Sequence, residues 1–179
     1  MKQKVIYAVL AILVVGLLFF PKQIYWLFFP HTKQDVIEQV FRDREIYYVI
    51  CYPQQVNAQI LHAKGSDKDK MSGYNKDASV PVSVDAVTTL KTLLKKPSSY
   101  RWRYNVASPD YNVLFTLHCD GRNIRMAFDF KNNMFGVYDG EDDNAQPVNT
   151  EYLFDPMRDQ LVAVVKGIFP NDKGIQALQ

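Results

Sequence analysis

The sequence predicts an α+β protein: one N-terminal transmembrane helix, then a single domain in which helices pack an antiparallel β-meander. Three observations predict it. Residues 5–20, VIYAVLAILVVGLLFF, carry no charge. Residues 111–138 alternate apolar and polar positions and are punctuated by turn residues. Apolar stripes at helical spacing, with start and stop residues, lie before and after that meander.

As a helix, Val5–Phe20 covers about 24 Å, a little less than a hydrocarbon core of about 30 Å. The apolar character resumes beyond Pro21, Lys22 and Gln23 in Ile24–Phe29. Lys22 can reach the headgroups, and Tyr25 and Trp26 suit the interface. A cleaved signal needs small residues after its apolar core. Here Phe19, Phe20, Pro21 and bulky aromatics stand in that place, and no cysteine offers a lipoprotein site. The expectation is an uncleaved signal anchor over residues 1–30, with cleavage as the alternative, and an extracytoplasmic domain over residues 31–179. Lys2, Lys4 and the amino terminus on one side face Lys22 and Lys33 on the other. That bias puts the N-terminus in the cytoplasm and the domain outside a bacterial inner membrane.

Thr32 reads as an N-cap, with Asp35 in the first turn and Val36, Ile37, Val40 and Phe41 at helical spacing. EIYYVICY, residues 45–52, is rich in β-branched and aromatic residues and stops at Pro53, which predicts a strand. A second strand, VNAQILH, alternates Val56, Ala58 and Ile60. Residues 64–79 lack apolar periodicity and read as a polar loop: a solvated hairpin or linker, or a binding loop. Ser83 caps a helix to about Lys96, with Val84, Val87, Leu90 and Leu94 on one face.

YRWRY follows, with Tyr100, Trp102 and Tyr104 alternating with Arg101 and Arg103. It reads as a half-buried strand, or as a basic face for anionic lipid or polymer. In the meander, Gly121-Arg122 taken as a type II′ tip sets Cys119 against Ile124, Leu117 against Met126, Phe115 against Phe128 and Val113 against Phe130. Asn132-Asn133 as the next tip sets Phe130 against Phe135 and Phe128 against Val137. The opposite face then carries His118 with Arg125, Thr116 with Ala127 and Leu114 with Asp129, largely polar and facing solvent. DGEDDN reads as a solvated loop, since its spacing does not fit a Ca²⁺ loop. Asp155-Pro156 opens a last helix with Met157, Leu161, Val164, Val165 and Ile168 as its stripe.

The C-terminal FDPMRDQLVAVVKGIFPNDKGIQAL resembles the tail of a loose set of uncharacterised bacterial proteins sharing F-D-P-x-R, then L-V and a Lys, then F-P-x-D and I-Q-x-L. The matching residues are Phe154, Asp155, Pro156, Arg158, Leu161, Val162, Lys166, Phe169, Pro170, Asp172, Ile175, Gln176 and Leu178. With LKTLLKKPSSY and the strands after it, the similarity covers roughly residues 83 to 179. It implies a shared fold segment and no activity. The strands of those proteins are richer in cysteine, whereas this chain has only Cys119 there.

Composition bounds the function classes. A formal net charge of +2 over 179 residues is far from the clustered basic excess of a nucleic-acid module. No G-x-S-x-G, S-x-x-K, P-loop or G-x-G-x-x-G pattern occurs, so no catalytic or cofactor residue is assigned. The scattered His31, His62 and His118 predict no metal site. Cys51 and Cys119 either form a disulfide, worth about 4 to 5 kcal/mol for so long a loop, or are separate buried thiols. Arg101, Arg103, His118 and Arg125 are the candidate binding face. The expected function is a membrane-tethered, non-enzymatic binding module of the cell envelope. It touches lipid through residues 5–29 and a protein partner through its domain. The alternatives are a small hydrolase-like envelope enzyme using spatially assembled residues such as His118 and Asp129, or a structural subunit of a membrane complex.

Overall fold

The computed structural model of the protein describes residues 33–65, 68–102, 108–148 and 152–179, with side chains from residue 37 onward. The chain forms two compact units, Met1–Asp35 and Val36–Gln179, and the second is the α+β domain. Among the described residues no helix is long and apolar enough to cross a membrane; the stretch 5–29 lies outside them, as does the Thr32 cap.

Helix α1, Lys33–Phe41, sends Ile37, Val40 and Phe41 into the core. Arg42, at φ 55°, turns the chain, and Asp43 caps α2, Arg44–Cys51, by accepting from Glu45 N at 2.7 Å. This corrects the strand expected over residues 45–52. Ile46, Val49 and Ile50 are buried at i, i+3 and i+4, a helical period that overrides the β-propensity of the individual residues. Tyr48 and Tyr52 meet one turn apart on the exposed side, their rings tilted with centroids 5.1 Å apart, and Pro53 follows the end.

Eight strands form the sheet among the described residues: β1 Gln55–Ala63, β2 Tyr74–Lys76, β3 Val80–Pro81, β4 Arg101–Trp102, β5 Val113–Cys119, β6 Arg122–Asp129, β7 Met134–Asp139 and β8 Tyr152–Leu153. Their order is β2-β1-β5-β6-β7-β8-β4, all pairs antiparallel, with β3 also pairing β1. Pro81 sits on this outermost β3, where its missing N–H costs no ladder bond.

The β5–β6 tip is Asp120-Gly121, both at positive φ (50° and 79°), so the turn is type I′ with Cys119 opposite Arg122. The expected Gly121-Arg122 tip is therefore corrected. Phe115 pairs with Met126 and Val113 with Phe128, two residues from the expected register. The β6–β7 connection runs over residues 130–133, and Phe128 pairs with Phe135, again displaced by two. A two-residue displacement preserves the pleat, so Val113, Phe115, Leu117, Cys119, Ile124, Met126, Phe128, Phe135 and Val137 share the inner core as expected.

Helix α3, Val84–Leu94, is capped by Ser83 and buries Leu90, Leu93 and Leu94; Val84, expected on the stripe, is exposed. Its last carbonyls accept from Ser99 Oγ (Leu93 O) and Tyr100 Oη (Leu94 O), each 2.7 Å. Helix α4, Arg158–Ile168, follows a 3₁₀ turn at Asp155–Met157; the turn buries Met157 and the helix buries Leu161, Val162 and Val165 in the inner core. The Asp155 side chain makes no cap bond there. Short α5, Lys173–Gln176, is capped by Asp172, and Gln176 Nε2 donates to Lys166 O and Phe169 O. Phe128, fully buried, lies among the rings of Phe115, Phe130, Phe135 and Phe154 at centroid distances of 5.3–6.4 Å.

The outer sheet face departs most from expectation. It was to be polar and solvated; instead Leu61, Met71, Tyr74, Tyr111, Leu114, Ala127 and Tyr138 form a second core upon it. Met71 and Tyr74 come from the segment expected to be a polar loop. That segment makes a 3₁₀ turn at Met71–Gly73 and strand β2, and folds back over the sheet.

Candidate functional site

The second core covers only one end of the outer face. At the other end two cross-strand rows stay partly open: Asn57–Thr116–Arg125–Tyr138, and Gln55–His118–Asn123. Alternation makes this strip. In β1, Gln55, Asn57 and Gln59 point outward because Val56 and Ala58 point into the inner core. Gln55 is exposed, while Asn57, Thr116, His118 and Asn123 are half-buried.

His118 Nδ1 and Asn123 Oδ1 are 2.7 Å apart, and Asn123 Nδ2 donates to Glu141. The carboxylate fixes the amide with its NH₂ toward Glu141, so Oδ1 faces the imidazole and Nδ1 carries the proton.

Arg125, one row away, closes the strip on its covered side. Its guanidinium donates to the Asp143 carboxylate and, at 2.8 Å, to Asp142 O, and lies 5.8 Å from the Tyr138 ring centroid. Its Nε is buried without a partner. Asp143 also accepts from Lys76 Nζ at 2.6 and 2.8 Å, and its backbone oxygen accepts from Ser72 N. Burial pushes the Asp143 carboxyl up, but the bonds from Lys76 and Arg125 outweigh it and hold it below its ordinary 3.8. DGEDDN is thus no freely solvated loop: Asp143 clips it to β2 and β6.

The structure brings His118 and Arg125 of the expected binding face together and separates the rest. Arg101 lies on β4, at the far end of the sheet, with Nε 2.9 Å from Asp155. Arg103 lies outside the described residues. His118 and Asp129 do not meet. Asp129 is six residues along β6 from Asn123, the partner of His118, or about 20 Å. The buried Asp129 carboxylate accepts from Asp110 N, Lys131 N, Asn132 N and Asn132 Nδ2 at 2.7–3.0 Å. It organises the β6–β7 turn.

Cys51 and Cys119 are both buried free thiols, Cys51 ending α2 and Cys119 ending β5. Desolvation, then the neighbouring Asp120, pushes the Cys119 thiol up, which disfavours the thiolate. No group of three His, Cys, Asp or Glu side chains among the described residues is placed to hold a metal ion.

The sequence reading missed Gln55, Asn57, Asn123 and Glu141. The first two were legible in the alternation of QVNAQ; the last two depended on the register. The residues of the F-D-P-x-R segment have structural duties: Phe154, Leu161, Val162, Phe169 and Ile175 are core, Asp172 caps, Gln176 bridges turns and Asp155 pairs with Arg101. No family model, curated protein or solved structure matches the chain.

Proposed function

We propose that the protein is a single-pass, membrane-anchored envelope protein whose extracytoplasmic domain is a non-enzymatic binding module. Residues 5–29 are its lipid anchor, with the N-terminus in the cytoplasm of a bacterium. The open end of the outer sheet face is its contact surface for another protein. The observation that carries the binding reading is the unequal cover of that face. One end is sealed by a second core, and the other presents Gln55, Asn57, Thr116, His118 and Asn123, side chains that can both donate and accept. Such a strip suits the polar, hydrogen-bonded contacts of a non-obligate interface. His118 and Asp129, one pair that an enzyme of this fold could have used, lie apart, which favours the binding reading. The uncleaved anchor is supported by the aromatic residues that stand where a cleavage site would need small ones.

The test is capture from detergent-solubilised membranes with the full chain and with Thr116→Arg and His118→Ala. The reading expects one specific protein retained by the wild type and lost with Thr116→Arg, at unchanged unfolding midpoint. A partner retained equally by both variants would refute the strip. A chain that leaves the membrane on carbonate washing, or a mature product starting near residue 30, would refute the anchor. An inactive but stable phosphatase fusion after Gln179 would refute the orientation.

A further inference from the structure

The β4 edge of the sheet combines three observations. Arg101 and Trp102 are consecutive, yet both are exposed, Trp102 by 52%. A half-buried strand would have hidden one of the two, so this edge is not explained as core. Its position is also fixed beside the first helix. Tyr152, the strand partner of Trp102, donates its hydroxyl to Gln39 Oε1 of α1 at 2.6 Å. Tyr100 packs edge-on against Phe41, also of α1, at 5.9 Å. Finally, α1 starts only three residues after Pro30, where the apolar and aromatic stretch ends. Whatever the path of the residues between, the reach of the chain and the rise of α1 keep Gln39 within about 20 Å of that point.

From these we infer that Arg101 and Trp102 form a second membrane contact, through which the domain rests its β4 edge on the phospholipid headgroups. The inference rests on the reading of residues 5–29 as a bilayer anchor. Trp is the side chain best suited to the interface, having an apolar body and one N–H donor. Arg101 turns Nε toward Asp155 in an ion pair and has four further N–H donors with no partner among the described residues, which suits a lipid phosphate. With no long linker after Pro30, the anchor confines the domain near the surface, so a weak contact suffices to orient it.

The chain has two tryptophans, Trp26 and Trp102, which makes the test direct. The full chain carrying Trp26→Phe, with Trp102 as the sole emitter, is reconstituted into phosphatidylcholine–phosphatidylglycerol vesicles containing lipid brominated near the headgroup end of the acyl chain. The Trp102→Phe chain, reporting Trp26, is the control. The expected result is strong quenching of Trp102 by the shallow bromolipid, with a several-fold loss of quenching by aqueous iodide. Trp102 unquenched by bromolipid while Trp26 is quenched overturns this inference and leaves the anchor standing. Neither residue quenched, with the chain failing to float with the vesicles, overturns the anchor as well. A blue-shifted Trp102 that bromolipid does not quench marks burial against a second copy and also overturns the inference. Since Trp26→Phe leaves the domain unaltered, loss of fold does not confuse the reading.

Discussion

Gly136 should not tolerate a methyl group, and Tyr111 is the reason. Gly136 stands in the middle of β7 opposite Ala127, with ordinary strand backbone. Glycine there weakens a strand by about 0.5–1 kcal/mol relative to alanine, so Gly136→Ala would stabilise if space allowed. Space does not allow it. A Cβ at Gly136 would lie 2.4 Å from Tyr111 Oη, 3.1 Å from Tyr111 Cζ and 3.0 Å from Tyr138 Cε2. The Tyr111 ring cannot swing away: it is fully buried between Tyr74 and Tyr138, and its backbone N–H donates to Tyr74 Oη at 3.2 Å. Overpacking of this kind costs about 1–3 kcal/mol, which exceeds the backbone gain and leaves a net loss of about 1–2 kcal/mol.

The same contact predicts its own rescue. Tyr111 Oη is buried with no hydrogen-bond partner. Burial, and after it the nearby Tyr138 hydroxyl, pushes the Tyr111 pKa well up, while the Tyr138 hydroxyl itself donates to Asp69 O at 3.0 Å. Removing an unpaired buried hydroxyl is neutral or stabilises by about 1 kcal/mol. Tyr111→Phe should therefore be tolerated, and the nearest ring atoms to a Cβ at 136 would then be Tyr138 Cε2 at 3.0 Å and Cζ of residue 111 at 3.1 Å. Guanidinium unfolding of the four chains of the cycle, followed by circular dichroism in detergent micelles, should give a favourable coupling of about 1 kcal/mol or more. Gly136→Ala that stabilises the protein, or two substitutions that simply add, would refute the reasoning.

Burial raises the Tyr47 and Tyr74 pKa values from 10.0 to about 12. The folded state then holds protons that the unfolded state releases, so stability is intact below pH 10 and falls as pH rises toward 12. Tyrosinate absorbance should accordingly lag behind free tyrosine and rise with the loss of circular dichroism; full titration near pH 10 with intact dichroism would contradict this. Phe41→Ala removes a fully buried ring from α1 and should cost about 3–5 kcal/mol, so a chain starting at Lys33 should fold and one starting after Arg42 should not, by the same denaturation assay. Asp129→Ala strips an acceptor from three backbone N–H groups and should cost about 3 kcal/mol or more; an unchanged unfolding midpoint would show that the turn does not depend on it.

The meander shows how a register can be wrong and a core right. Apolar residues at Val113, Phe115, Leu117 and Cys119 define one face whatever their partners, because the pleat repeats every two residues. Partners depend on the turn. Gly121 alone allows a tip at either 120–121 or 121–122, and the preference of Asp-Gly for positive φ at both positions decides for the former. Residues 45–52 failed for a different reason. Isoleucine, tyrosine and valine favour strands singly, but Asp43 and the spacing of Ile46, Val49 and Ile50 jointly specify a capped helix. The outer core was illegible, because no local pattern says that Met71 and Tyr74 will return across β1 to reach Tyr111 and Tyr138. That return also makes the candidate site. The loop that seals one end of the outer face ends at Lys76, where the Asp143–Arg125 clip fastens it. Beyond the clip Thr116 and His118 stay half-exposed, so the open strip is the part of the sheet that a loop of this length leaves partly bare. Its polarity follows from that exposure, while the His118–Asn123–Glu141 bonds do not: they hold three side chains in one arrangement on a surface that solvation alone would leave mobile.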